Sequence, residues 1–127
     1  MRFLAIYRAP ETCEPPTPGH MAEMGKLIEE MTNAGVLLAT EGCMPSAAGA
    51  RIRLDSGKVT VTDGPFTESK ELIAGFALLQ ARSKEEAVEW TRRFLAVAGD
   101  GETELRQICD FTSQPELAAA GELAARA

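Results

Sequence analysis

Eight consecutive residues, Leu72-Ile73-Ala74-Gly75-Phe76-Ala77-Leu78-Leu79, carry no polar side chain and lie between Glu71 and Gln80. The run is far short of the roughly 20 apolar residues of a membrane-spanning helix, and its Ile, Phe and Leu content suits a strand. Successive side chains of a strand point to opposite faces, so a run that is apolar at both parities predicts a strand covered on both sides. Any fold this chain adopts must put a layer on each face of that strand.

The flanking segments supply one of those layers. Arg2 to Arg8 is rich in β-formers, and the stretch from Pro10 to Pro18 ends it with loop composition. Thr17 before Pro18 predicts a capped helix with proline at its first position, along which Met24, Leu27, Ile28 and Met31 recur at helical spacing until Gly35 ends it. Val36 to Gly42 reads as a second main strand. Arg51–Leu54 and Lys58–Thr62 read as a hairpin around Asp55-Ser56-Gly57. Beyond the apolar run, Ser83 with Glu86 three residues on predicts a capping box for a helix through Ala98, whose apolar side carries Ala87, Thr91, Phe94 and Leu95. Thr103 to Phe111 reads as the last strand, and Ser113 with Glu116 starts an alanine-rich tail helix.

This order predicts an α+β fold, a ferredoxin-like split βαβ with a β-hairpin inserted between its second and third main strands. The two helices cover one face of the sheet. A second copy of the chain is the economical cover for the other face, and the tail helix folded back is the alternative. In this topology the second main strand runs parallel to the first and the third returns between them. Tyr7, Arg8, His20, Glu41 and the segment from Asp63 to Glu71 are therefore expected at the same end of the sheet.

With 127 residues and 45% hydrophobic composition, the chain suits one core, expected over residues 1–111, with 112–127 as a helical tail. Nineteen acidic residues against thirteen basic ones give a charge of −6, which repels polyphosphate and argues against a nucleic-acid partner. Cys13, Cys43 and Cys109 form no CxxC pair, and their odd number argues for reduced thiols in a cytoplasmic protein. Cys13 and His20 alone make a poor metal site, so no metal and no cofactor is expected.

The segment Val61-Thr62-Asp63-Gly64-Pro65-Phe66-Thr67-Glu68-Ser69-Lys70-Glu71 resembles the signature of the DGPF branch of the YCII-related family. The similarity extends to the opening strand, to Ala34-Gly35-Val36, to Glu41-Gly42 and to the glycine-containing strand that follows. The resemblance implies a dimeric α+β barrel, acting as a homodimer around a small pocket. It also implies acid–base chemistry by a histidine and an aspartate, the aspartate corresponding to Asp63. Some relatives accompany extracytoplasmic-function sigma factors, which implies the alternative of a non-catalytic ligand-binding or regulatory module.

On their own chemistry, several residues are candidates for such a site. Asp63 before Gly64 suits either a preorganised base or an ordinary Asx-type turn. Lys70 between Glu68 and Glu71 suits either an anionic ligand or a solvated ion-pair cluster. Glu41 suits either a ligand contact or a loop cap, and Tyr7 ends the strand nearest the expected pocket. His20 falls on the helix side shared by Met24, Leu27 and Met31, where a helix N-terminus disfavours the imidazolium. The expected function is acid–base chemistry of isomerase or lyase type on a small polar metabolite, with Asp63 and His20 as the catalytic pair and Tyr7, Glu41, Glu68 and Lys70 as ligand contacts.

Overall fold

The computed structural model describes residues 1–12 and 14–110, and in it the chain runs β1 (Arg2–Ala9), α1 (Pro18–Asn33), β2 (Leu37–Gly42), a 3₁₀ turn (Ser46–Ala48), β3 (Ala50–Asp55), β4 (Lys58–Asp63), β5 (Leu72–Gln80), α2 (Lys84–Ala98) and β6 (Glu102–Gln107). The main sheet has the order β2-β5-β1-β6, and β3 pairs with β4 in a separate hairpin. β5 is antiparallel to both β1 and β2, so β1 and β2 run the same way with β5 returning between them. This is the expected ferredoxin-like order. Among the described residues, no helix is long and apolar enough to cross a membrane.

Local chemistry sets the boundaries. Thr17 Oγ1 accepts from the His20 backbone N–H at 3.2 Å, with Pro18 behind it at the helix start, and Gly35 leaves α1 at φ +73°. Ser83 Oγ accepts from Glu86 N at 3.2 Å, but the Glu86 carboxylate turns to Arg82 Nε at 2.8 Å, so only half of the expected capping box forms. Ser56 and Gly57 take φ values of 50° and 79°, the left-handed pair that a two-residue hairpin turn requires. β6 ends at Gln107, short of the expected Phe111. Its ladder closes where Ile108 N donates to Arg2 O at 2.8 Å, at the first residue of β1. Phe111, Cys13 and the expected tail helix lie outside the described residues.

The core lies between the helices and one sheet face, where Phe3, Ala5 and Leu79 meet Leu27 and Met31 of α1 and Ala87 of α2. Trp90, Phe94 and Val97 pack against it, so α2 presents a wider apolar stripe than the four residues read from its sequence. The other face carries Leu4, Ile6 and Arg8 of β1 opposite Leu78, Phe76 and Ile73 of β5. Phe76 and Ile73 are exposed there. β5 is apolar at both parities, and among the described residues only its helix-facing side is covered.

Candidate functional site

A cavity of about 400 Å³ opens between the helices and the sheet at the end where β1 finishes and α1 begins. It exists because the sheet residues beneath it are small. Ala5, Gly75, Ala77 and Gly42 line it together with Ala98 of α2, leaving space that larger side chains would fill. Gly75 is required here for a second reason. A Cβ at that position would lie 2.8 Å from Glu41 O, so any side chain would push β2 away from β5.

The walls are mostly apolar, formed by Met24, Leu27, Met31, Leu79 and Phe94. Their spacing on α1 brings His20 to the same side, and His20 lines the cavity as its sequence position predicts. Glu41 reaches it at the rim, since its pairing with Phe76 belongs to the face away from the helices. Three threonines complete the lining. Thr40 Oγ1 donates to Phe76 O at 2.9 Å and Thr91 Oγ1 to Ala87 O at 2.8 Å, whereas the enclosed Thr103 Oγ1 has no hydrogen-bond partner.

Tyr7 lines the cavity with its ring, which stands edge-on to Phe94 at 5.3 Å between centroids. Its hydroxyl donates toward Asp100 O at 3.1 Å and Gly99 O at 3.4 Å, which fixes the turn between α2 and β6. Partial burial, then the carboxylates of Asp100 and Glu71, push its phenol above the usual value. The neutral form is thus favoured in the folded state. Stability linked to Tyr7 is complete below the unfolded phenol's value, about pH 10, and declines as pH rises beyond it. Tyr7→Phe is expected to cost about 1 kcal/mol at neutral pH and to flatten the alkaline decline, as urea melts at pH 7 and above pH 10 will measure.

The DGPF segment lies elsewhere. Gly64 N donates to Gly49 O at 3.0 Å, and Phe66 N donates to Ser46 Oγ at 3.1 Å. The Glu11 carboxylate accepts from both Ser46 N and Ser46 Oγ. The Arg51 guanidinium lies 3.9 Å over the Phe66 ring and pairs with Glu68, whose carboxyl its hydrogen bond holds below the usual range. A second, more open hollow of about 440 Å³ joins this hairpin base, through Ala50, Arg51 and Phe66, to Arg8 and Ile73 on the open sheet face. Asp63 is exposed at the end of β4, and its carboxylate makes no hydrogen bond or ion pair among the described residues. Lys70 is likewise exposed. Tyr7, His20 and Glu41 therefore meet at one cavity, while Asp63, Glu68 and Lys70 line neither hollow. The sequence placed all six at one end of the sheet but could not place them on one face of it. Among the described residues no group of three metal-ligating side chains gathers.

A family model described as the YCII-related domain matches residues 1–112. The chain belongs to the YCII-related family. An uncharacterised protein of Rhizobium meliloti is 33% identical to this YCII-related chain over 72 residues, which span 57% of the chain and 58% of that relative. The matched domain contains both the cavity and the DGPF clamp.

Proposed function

We propose that this YCII-related protein binds a small, largely apolar molecule in the cavity beneath α1 and α2, without turnover, and does so as a homodimer. The observation that carries the reading is a partly open hollow of about 400 Å³, within the usual range for ligand sites, lined mostly by apolar side chains with His20, Glu41 and a few hydroxyls among them. Acid–base turnover by Asp63 and His20 would need the two side by side. Within one chain Asp63 sits on the exposed hairpin and His20 on the cavity wall. A regulatory module of the kind found beside sigma factors needs occupancy rather than chemistry, and the cavity suits that role. Exposed free thiols at Cys43 and Cys109 suit a reducing cytoplasmic setting. A thermal-shift series with small neutral aromatics tests the binding: a dose-dependent rise in Tm supports it, and no shift at millimolar concentrations counts against it.

The homodimer rests on apolar surface that the described chain leaves uncovered. Pairing of Ile52 with Val61 and of Leu54 with Val59 puts four aliphatic side chains on one face of the hairpin, all 59–71% exposed. They present on the order of 450 Å² of surface, already the size of an interaction patch. Adding Leu38, Ile73 and Phe76 brings the total to roughly 750 Å², close to the ~800 Å² per partner of a stable interface. The hollow at the hairpin base connects these two regions, and a second copy of the chain is the occupant that fits both. Light scattering is expected to report twice the 13.6 kDa chain mass; a monomer at all concentrations would remove this part of the proposal.

A further inference from the structure

Resting on the binding role proposed above, we infer that the cavity takes an amphiphile in one orientation, with a polar group that is not anionic at the end where Tyr7, His20 and Glu41 lie and a hydrocarbon tail running along α1 to Ile28 and Leu37. The strand pairings fix the two ends. Tyr7 and Gly42 both pair with Gly75, and Glu41 pairs with the adjoining Phe76, whereas Leu37 pairs with Leu79 at the far end of β5. α1 runs between the same two ends, because its first turn follows β1 and Gly35 delivers its last turn to β2. His20 therefore stands at the Tyr7 end, and Ile28 lies about two turns further on. All three ionisable groups of the lining gather at one end, while Ile28, Met31, Leu37 and Leu79 make the other end apolar.

Length and accessibility agree with that polarity. His20 and Ile28 are about 12 Å apart along α1 at about 1.5 Å per residue, and Leu37 and Glu41 are about 13 Å apart along β2 at about 3.3 Å per residue. A single ring with a short chain spans that distance. Ile28 is 36% exposed and Leu37 is half-buried, so apolar surface is left uncovered between α1 and the edge strand β2, where a tail would cover it. The hydroxyls along the way ask for no partner on the ligand, since Thr40 and Thr91 donate to backbone carbonyls and the Thr103 oxygen is sealed from the cavity as well as from solvent. The polar end excludes anions for a separate reason. No lysine or arginine lines the cavity, Glu41 brings a carboxylate to its rim, and those of Asp100 and Glu71 act on the Tyr7 phenol. A ligand carboxylate there would meet like charge while losing water.

The test compares 4-methylphenol, 4-pentylphenol and 4-pentylbenzoate on the full chain by NMR titration at pH 8, where an ordinary imidazole is neutral. The pentyl chain adds four methylenes, each worth about fourfold when fully buried, so 4-pentylphenol is expected to bind at least about tenfold and up to about 100-fold more tightly than 4-methylphenol. It is also expected to add amide shifts at Ile28 and Leu37 that 4-methylphenol lacks. 4-Pentylbenzoate, with the same tail and an anionic head, is expected to bind more weakly than 4-pentylphenol. Ile28→Glu, at a partly exposed helix position, should cancel most of the gain from the longer tail and leave 4-methylphenol unchanged; the wild-type series carries the test if that variant fails to fold. A gain of less than about tenfold in the wild type, no added shift at Ile28 or Leu37, or a benzoate that binds as tightly as the phenol would overturn the inference while leaving the cavity a binding site. If none of the three gives saturable shifts, the binding role itself fails, and this inference with it.

Discussion

Gly64→Ala is expected to destabilise the protein by about 3 kcal/mol and to free the β3–β4 hairpin from the domain. A Cβ on residue 64 would lie 1.7 Å from the Ser46 carbonyl oxygen and 2.6 Å from its carbon, so the backbone itself must move. That movement breaks the Gly64 N to Gly49 O bond and draws Phe66 N away from Ser46 Oγ, each worth about 1 kcal/mol. The Glu11 contacts to Ser46 then lose their support as well. Urea melts measure the loss, and hydrogen exchange locates it: amides of β3 and β4 should exchange faster before those of β1 and β5 do. Asp63→Asn serves as the contrast. Its exposed side chain has no partner to lose, so a change within about 0.5 kcal/mol is expected. A large effect at Asp63 with a small one at Gly64 would mean that the signature works through its carboxylate instead of its backbone clamp.

The double substitution Ile52→Asp with Val61→Asp is expected to raise the dimer dissociation constant by at least about 100-fold, near 3 kcal/mol, while leaving the fold of each chain intact. Both side chains are more than half exposed and pair across the hairpin, so the carboxylates stay hydrated in the monomer. In the interface they would be desolvated directly opposite one another, where like charges repel. Sedimentation across a concentration series reads the constant, and circular dichroism checks the fold. An unchanged dimer would remove the hairpin face from the interface and leave the open sheet face as its remaining basis.

The fold was legible because its signals are local. Thr17-Pro18, Gly35, Ser83 and the Ser56-Gly57 turn each mark a boundary through one backbone requirement, and the order of the elements placed β5 between β1 and β2. The site was legible only in part, because strand direction tells which end of a sheet a loop reaches and not which face. His20 followed from helical spacing, and Tyr7 from its place at the end of β1. Asp63, Glu68 and Lys70 line neither hollow, because the 3₁₀ turn and hairpin carry their segment to Arg8 and Ile73, on the side away from the helices.

What the sequence reading missed is made of small residues. Ala5, Gly75 and Ala77 fall at the helix-facing parity of β1 and β5, and a search for small side chains at that parity would have predicted the hollow. Thr103 drew no notice, since threonine in a strand is an ordinary β-former. Only its enclosure without a partner distinguishes it. The hairpin's apolar face was readable from the alternation in Arg51-Ile52-Arg53-Leu54, although finding it uncovered required the structure.

The central claim, that a ligand sits between the helices and the sheet, is tested most directly by mapping amide chemical shifts during titration with 4-methylphenol. Saturable shifts at Ala5, Leu27, Ala77, Thr91 and Thr103, with Asp63 and Lys70 unmoved, are the predicted result. Shifts centred on Arg8, Arg51, Phe66 and Ile73, or none anywhere, would contradict it.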